Sequence, residues 1–161
     1  LSTVLQATKE DKPTLQPMVD ETKRKYKQYK KLVPPRLITS KGIIPPVTYA
    51  HEDIPENALP GNPVSAGETI GIARVILDPH KETIQAGEIL IAPFTDPGWT
   101  PLFVHATGLV MELGGSMTHG SVVAREYGIP AVAGVINATQ LIKSGMKIRV
   151  DGNKGFVEIL E

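Results

Sequence analysis

From Val64 onward the hydrophobic positions fall in short runs bounded by glycine, whereas before it they scatter among charges and prolines. The runs TIGIARVIL (69–77), EILIAPF (88–94), GLVMEL (108–113), PAVAGV (130–135), KIRVDG (147–152) and GFVEIL (155–160) are short and rich in β-branched residues, which predicts six strands. DGNKG, Asp151 to Gly155, predicts the turn that joins the last two into a hairpin. A glycine two residues ahead of an isoleucine-rich strand recurs at Gly67, Gly87 and Gly145, and shared turn chemistry is favoured here over internal duplication.

Two stretches break the strand pattern. SVVAREY, after His119, predicts a helix that stops at Gly128, a left-handed cap, with Pro130 two residues on. ATQLIKS, ahead of Gly145, predicts a second, shorter helix. Strands outnumber helices without regular alternation, so a layered, β-rich α/β domain is favoured over a doubly wound sheet.

The N-terminal part has a different character. MVDETKRKYKQYKKL, Met18 to Leu32, predicts a helix with Asp20 and Glu21 early and Lys30 and Lys31 late, as the helix dipole prefers. Its basic residues could touch phosphate, but a solvated face is the preferred reading. Pro34 and Pro35 end it, and residues 36–63, with Pro45, Pro46, Pro55, Pro60 and Pro63, predict an extended linker on which Tyr49 and His51 lie at the surface. The expected organisation is a charged helix plus proline-rich connector over 1–58 and a folded domain over 59–161.

Composition narrows the function classes. At 161 residues, 41% hydrophobic, the chain can bury one ordinary core. A formal net charge of zero gives no general case for nucleic acid or an anionic membrane, and neither is expected as a partner. The absence of cysteine excludes disulfides, thiolate metal sites and cysteine nucleophiles. No apolar run approaches the ~20 residues of a membrane span and no signal-peptide pattern opens the chain, so a cytoplasmic protein is expected. A first residue of Leu1 reads as a piece cut from something longer.

The candidate chemistry lies in GGSMTHG, Gly114 to Gly120. Thr118 takes the N-cap position and His119 the first helical turn. The positive end of a helix favours neutral imidazole, with a free lone pair, over imidazolium, and it also stabilises an anion placed there. Gly114, Gly115 and Gly120 permit close approach, so a phosphoryl group on His119 could meet backbone N–H groups directly. The competing reading is a polar histidine satisfied by backbone hydrogen bonds. His51, His80, His105 and His119 share no metal-ligand spacing, so no metal is expected. Ser116 and Ser121 flank the histidine, but the stretch is not the G-x-S-x-G elbow of a hydrolase. In DPGWTP, Trp99 is either an interdomain contact or, preferably, a partly buried loop anchor.

The stretch ELGGSMTHGSVVAREYGIPAVAGVINAT (112–139), with DGNKGFVEIL near the end of the chain, resembles the phosphohistidine domain of the phosphoenolpyruvate-utilising enzymes. The resemblance implies a swivelling β/β/α fold in which His119 accepts phosphate at Nε2. Thr118 would be its hydroxyl neighbour, and Gly114, Gly115 and Gly120 would shape the phosphate site. Arg125 occupies the family's arginine position, either in an intradomain salt bridge or toward phosphate. Met111 stands where the family pattern leads one to expect threonine. LPGNPVSAGETIGIARVILDP and FTDPGWTPLF are similar to the phosphoenolpyruvate synthase-like subgroup that includes rifampin phosphotransferases.

The resemblance further implies that ATP and Mg2+ bind elsewhere in a parent enzyme, the domain itself carrying no cofactor. An ATP-grasp domain and an acceptor-binding domain of the same chain would be its partners. ATP, acceptor and water would yield AMP, phosphorylated acceptor and inorganic phosphate, with a rifamycin hydroxyl or pyruvate as acceptor. A non-catalytic docking or regulatory module is the alternative from another class.

Overall fold

The computed structural model describes residues 12–32, 38–44 and 54–160. Pro34, Pro35, Pro45, Pro46, Tyr49 and His51 therefore lie outside the described residues. The chain divides into two compact units, Leu1–Val47 and Thr48–Glu161.

In the first unit, helix α1 runs from Lys12 to Tyr29. It begins ahead of the expected start at Met18 because Pro17 is accommodated near its N-terminus, where the one bond forfeited is that to the carbonyl of residue 13. Its charges pair along its own surface: Glu21 meets Arg24 at 2.7 Å and Lys25 at 3.4 Å. Met18, Tyr26 and Tyr29 are exposed within this chain. No helix among the described residues is long and apolar enough to cross a membrane.

The second unit holds eight strands: β1 (Ala58–Pro60), β2 (Asn62–Ser65), β3 (Glu68–Val75), β4 (Ile89–Ala92), β5 (Gly108–Met111), β6 (Ala131–Ala133), β7 (Lys147–Asp151) and β8 (Phe156–Ile159). Around them stand a 3-10 turn (Pro97–Trp99) and helices α2 (Thr100–Phe103), α3 (His119–Tyr127) and α4 (Ala138–Leu141). All six strands expected from the hydrophobic runs form, and α3 ends at Gly128 with φ +67, the left-handed cap that its sequence demands. The repeated glycines Gly67, Gly87 and Gly145 all have positive φ, +119, +90 and +95, so each is a turn residue leading into a strand.

The strand order is β1-β8-β7-β3-β4-β5-β6-β2, with β3 to β6 parallel and the remaining pairs antiparallel. Alternating residues of the parallel strands enter two different cores. Leu90, Leu109, Met111, Ala131 and Ala133 join Trp99, Phe103 and Ala124 on one face. Ile89, Ile91, Val110 and Val132 join Ala138, Ile142 and Ile148 on the other. Burial on both faces explains why β4 and β5 read as unbroken apolar runs.

The expected linker is corrected at its C-terminal end. Residues 58–65 form both edges of the sheet: β1 pairs with β8, and β2 pairs with β6 on the far side. Gly61 alone separates them, and a Cβ there would stand 2.5 Å from Val132 Cγ1 and 2.7 Å from Val135 Cγ2. Pro60 and Pro63 disguised these strands, because proline has no ladder donor and is tolerated only at edges and irregular pairings. β2 has just such a register shift between Pro63 and Ser65.

Candidate functional site

His119 lies where the parallel block presents the chain emerging from β5. After Met111 the chain turns through residues 112–118, with Gly114 at φ +147. Thr118 N–H and Thr118 Oγ1 both donate to Gly115 O, at 3.1 and 2.9 Å, and close the turn. Thr118 then takes the N-cap position with extended backbone (φ −75, ψ 157), and His119, half-buried, is the first residue of α3. The hydroxyl of Thr118 makes no capping bond to the helix and lies 3.1 Å from Ser121 Oγ.

The 94–100 segment forms the opposite wall. Asp96 Oδ1 accepts from Gly98 N at 2.8 Å and opens the 3-10 turn, and Trp99, 1% exposed, locks it into the core. Trp99 is thus a core residue, more deeply buried than a loop anchor. Phe94 packs against it with ring centroids 6.5 Å apart. Held this way, Thr100 donates its hydroxyl proton to Pro97 O at 2.9 Å and places Oγ1 3.4 Å from His119 Nε2. Thr100 is the residue that sequence reasoning missed. Its only local signal is a hydroxyl directly after the Trp99 anchor.

The glycines of the motif differ in their surroundings. A Cβ on Gly120 would collide with Thr95 Oγ1 and stand 2.7 Å from Met111 Sδ, so this glycine lets the first turn of α3 settle onto β5 and the 94–100 wall. Met111 is fully buried there, with Thr95 Oγ1 donating to its sulfur at 3.4 Å. A Cβ on Gly114 would come within 3.1 Å of Thr118 Oγ1, whereas one on Gly115 would meet no atom within 4 Å. Gly115 thus leaves open space beside the turn that precedes the histidine.

Arg125 lies six residues along α3, and its Nη1 donates to Val64 O of β2 at 2.9 Å. The walls formed by residues 93–100 and 112–122 contain no lysine or arginine. Of their two acids, Asp96 holds the 3-10 turn, while Glu112 Oε1 accepts from Thr139 N and Oγ1 at 2.8 and 2.6 Å at the start of α4. Among the described residues no group of three or more His, Cys, Asp or Glu is arranged to hold a metal ion. The arrangement is that of an accessible imidazole at the front of a helix, beside a hydroxyl and a glycine-lined opening.

Residues 84–155 match the family described as PEP-utilising enzyme, mobile domain. The rifampicin phosphotransferase of Bacillus cereus is 54% identical over 143 residues, 89% of this chain and 16% of that protein. A probable phosphoenolpyruvate synthase of Staphylothermus marinus is 47% identical over 100 residues, 60% of this chain and 12% of that protein. The chain thus spans about one sixth of the length of the rifampicin phosphotransferase it matches. The holo-form aconitase X of Thermococcus kodakaraensis shares the fold, with a TM-score of 0.51 at 24% identity over 65% of this chain and 98% of that one.

Proposed function

Because the chain carries the mobile domain of the PEP-utilising enzymes, we propose that His119 is a phosphoryl carrier that takes the β-phosphate of ATP and passes it to an acceptor. The observation that carries this reading is the position of His119 as the first residue of α3, behind a turn that Gly115 leaves open. The imidazole lone pair attacks the β-phosphorus while the bond to the α-phosphate oxygen breaks and AMP leaves. Water takes the γ-phosphate as inorganic phosphate. The acceptor hydroxyl then attacks phosphorus, the P–N bond breaks, and the imidazole is regenerated. One difficult transfer becomes two easier ones through a reactive phosphoramidate.

This chain's own residues orient and shelter that intermediate. Thr100 holds the free imidazole from one side before transfer, and first-turn N–H groups of α3 face the phosphoryl group, each such contact contributing about 0.3–1 kcal/mol. Arg125 ties α3 to β2, which holds the helix and its histidine in place. ATP and Mg2+ belong to an ATP-grasp domain and the acceptor to a further domain of a longer parent chain. A rifampicin hydroxyl is the preferred acceptor, because the match to rifampicin phosphotransferase covers 89% of this chain and that to the probable phosphoenolpyruvate synthase covers 60%. Pyruvate is the alternative acceptor.

The test follows radiolabel from the β-phosphate of ATP in the full-length parent with magnesium, comparing the native protein with His119→Ala. Acid-labile, base-stable label on the native protein alone, discharged by rifampicin, is the expected result. Discharge by pyruvate would reassign the acceptor. No label on either protein while ATP still binds would replace the carrier reading with a docking module.

A further inference from the structure

Ser121 is fully buried, one of three buried polar side chains among the described residues. Its Oγ lies 3.1 Å from Thr118 Oγ1, and Thr118 Oγ1 donates its proton to Gly115 O at 2.9 Å. With that proton committed, Ser121 is the donor in the pair, and the hydroxyls form a relay from Ser121 to Thr118 to Gly115.

A threonine at an N-cap ordinarily accepts from the backbone N–H two or three residues on, which here means Gly120 or Ser121. Thr118 has the extended backbone of an N-cap and makes no such bond. The residue whose N–H could be capped thus holds the capping hydroxyl away with its own side chain. The front of α3 is left without a side-chain cap immediately beside the His119 ring, where donors attract an anion.

We propose that Ser121 is a positioning residue: by holding Thr118 in the relay to Gly115, it keeps the buried first-turn N–H groups of α3 uncapped, so that their dipoles act on the phosphoryl group on His119. This rests on the carrier reading above. It gives the buried serine a role in transfer that ordinary packing would not require, since an alanine would fill nearly the same space. Removal of the Ser121 hydroxyl frees Thr118 to rotate and cap the helix, and the cap then screens those donors from the phosphoryl group.

The test is a double-mutant cycle in the full-length parent with Ser121→Ala, Thr118→Ala and the pair. Two quantities are read: the rate of β-phosphate label transfer from ATP, and hydrogen exchange of the amides of residues 119–122 without ATP. Ser121→Ala is expected to slow labelling about tenfold and to slow first-turn exchange several-fold, as the cap forms. In the Thr118→Ala background the same change should alter either quantity less than twofold, because no hydroxyl remains to form the cap. Equal effects of Ser121→Ala in both backgrounds, or faster exchange on losing the serine, would mark an ordinary packing role and overturn the proposal. If the native parent takes no label, the carrier reading fails, and unchanged exchange in Ser121→Ala would independently remove the hydroxyl relay.

Discussion

Thr100 and His119, 19 residues apart in the sequence, meet at 3.4 Å between Oγ1 and Nε2. Because the Thr100 proton is directed to Pro97 O, its oxygen faces the imidazole as an acceptor and favours hydrogen on Nε2, the nitrogen that must shed it before taking phosphate. Thr100→Val is expected to raise the rate of histidine phosphorylation about three- to tenfold, the worth of one ordinary hydrogen bond, while Thr100→Ser stays near the native rate. Ring 15N shifts of His119 in the unphosphorylated protein check the cause: the valine variant should lose the tautomer preference. An unchanged tautomer ratio would mean the contact does not orient the ring.

Gly120 is the closest-packed glycine of the motif. Gly120→Ala should destabilise by about 1–3 kcal/mol through overpacking against Thr95 and Met111. Adding Thr95→Ala removes the nearest atom and should recover part of the loss, with Met111 Sδ retaining the rest. Urea midpoints of the two variants measure this. Equal midpoints would show that Thr95 is not the source of the loss.

Gly114 and Gly115 separate a folding role from a chemical one. Gly114→Ala should cost about 1–3 kcal/mol, because φ +147 disfavours any side chain. Gly115→Ala meets no atom within 4 Å and should leave the melting temperature unchanged, yet slow phosphorylation about tenfold if phosphoryl oxygens approach the backbone there. Native-rate labelling of that variant would make Gly115 a turn residue only.

Glu88 supplies a pH dependence. Burial pushes its carboxyl up, but Arg74, with Nε at 3.1 Å, and the Gln85 N–H at 2.8 Å outweigh burial and hold it below its ordinary value. Its stabilising contribution is therefore complete above the unfolded value of about 4.3 and is lost as pH falls through the lower folded value. Unfolding measured from pH 7 to pH 3 should show Glu88→Gln less stable than the native protein at neutral pH, with the two curves converging in acid. Parallel curves over the whole range would remove Glu88 from the acid limb.

The strands were legible wherever both faces of the sheet are covered. Ile89–Ala92 and Gly108–Met111 have no exposed position, so their apolar runs are continuous and glycine marks where they begin. β1 and β2 were hidden because edge strands tolerate the prolines that elsewhere signal a linker. The histidine, its N-cap threonine and the left-handed cap at Gly128 could be read from local chemistry alone. Thr100 and the Ser121 relay could not. The first reaches His119 from a separate stretch of chain, and the second depends on which way a single hydroxyl turns.

The pairing of Ala58 with Glu158 has a mechanical meaning. β1 and β8 run antiparallel along one edge of the sheet, so the polypeptide enters and leaves the sheet side by side. Whatever precedes Ala58 and follows Leu160 shares one point of attachment. A load suspended from two distant anchors must bend to move, but one hung from a single point can turn as a rigid piece, which is what the proposed carrier role asks of the body that holds His119.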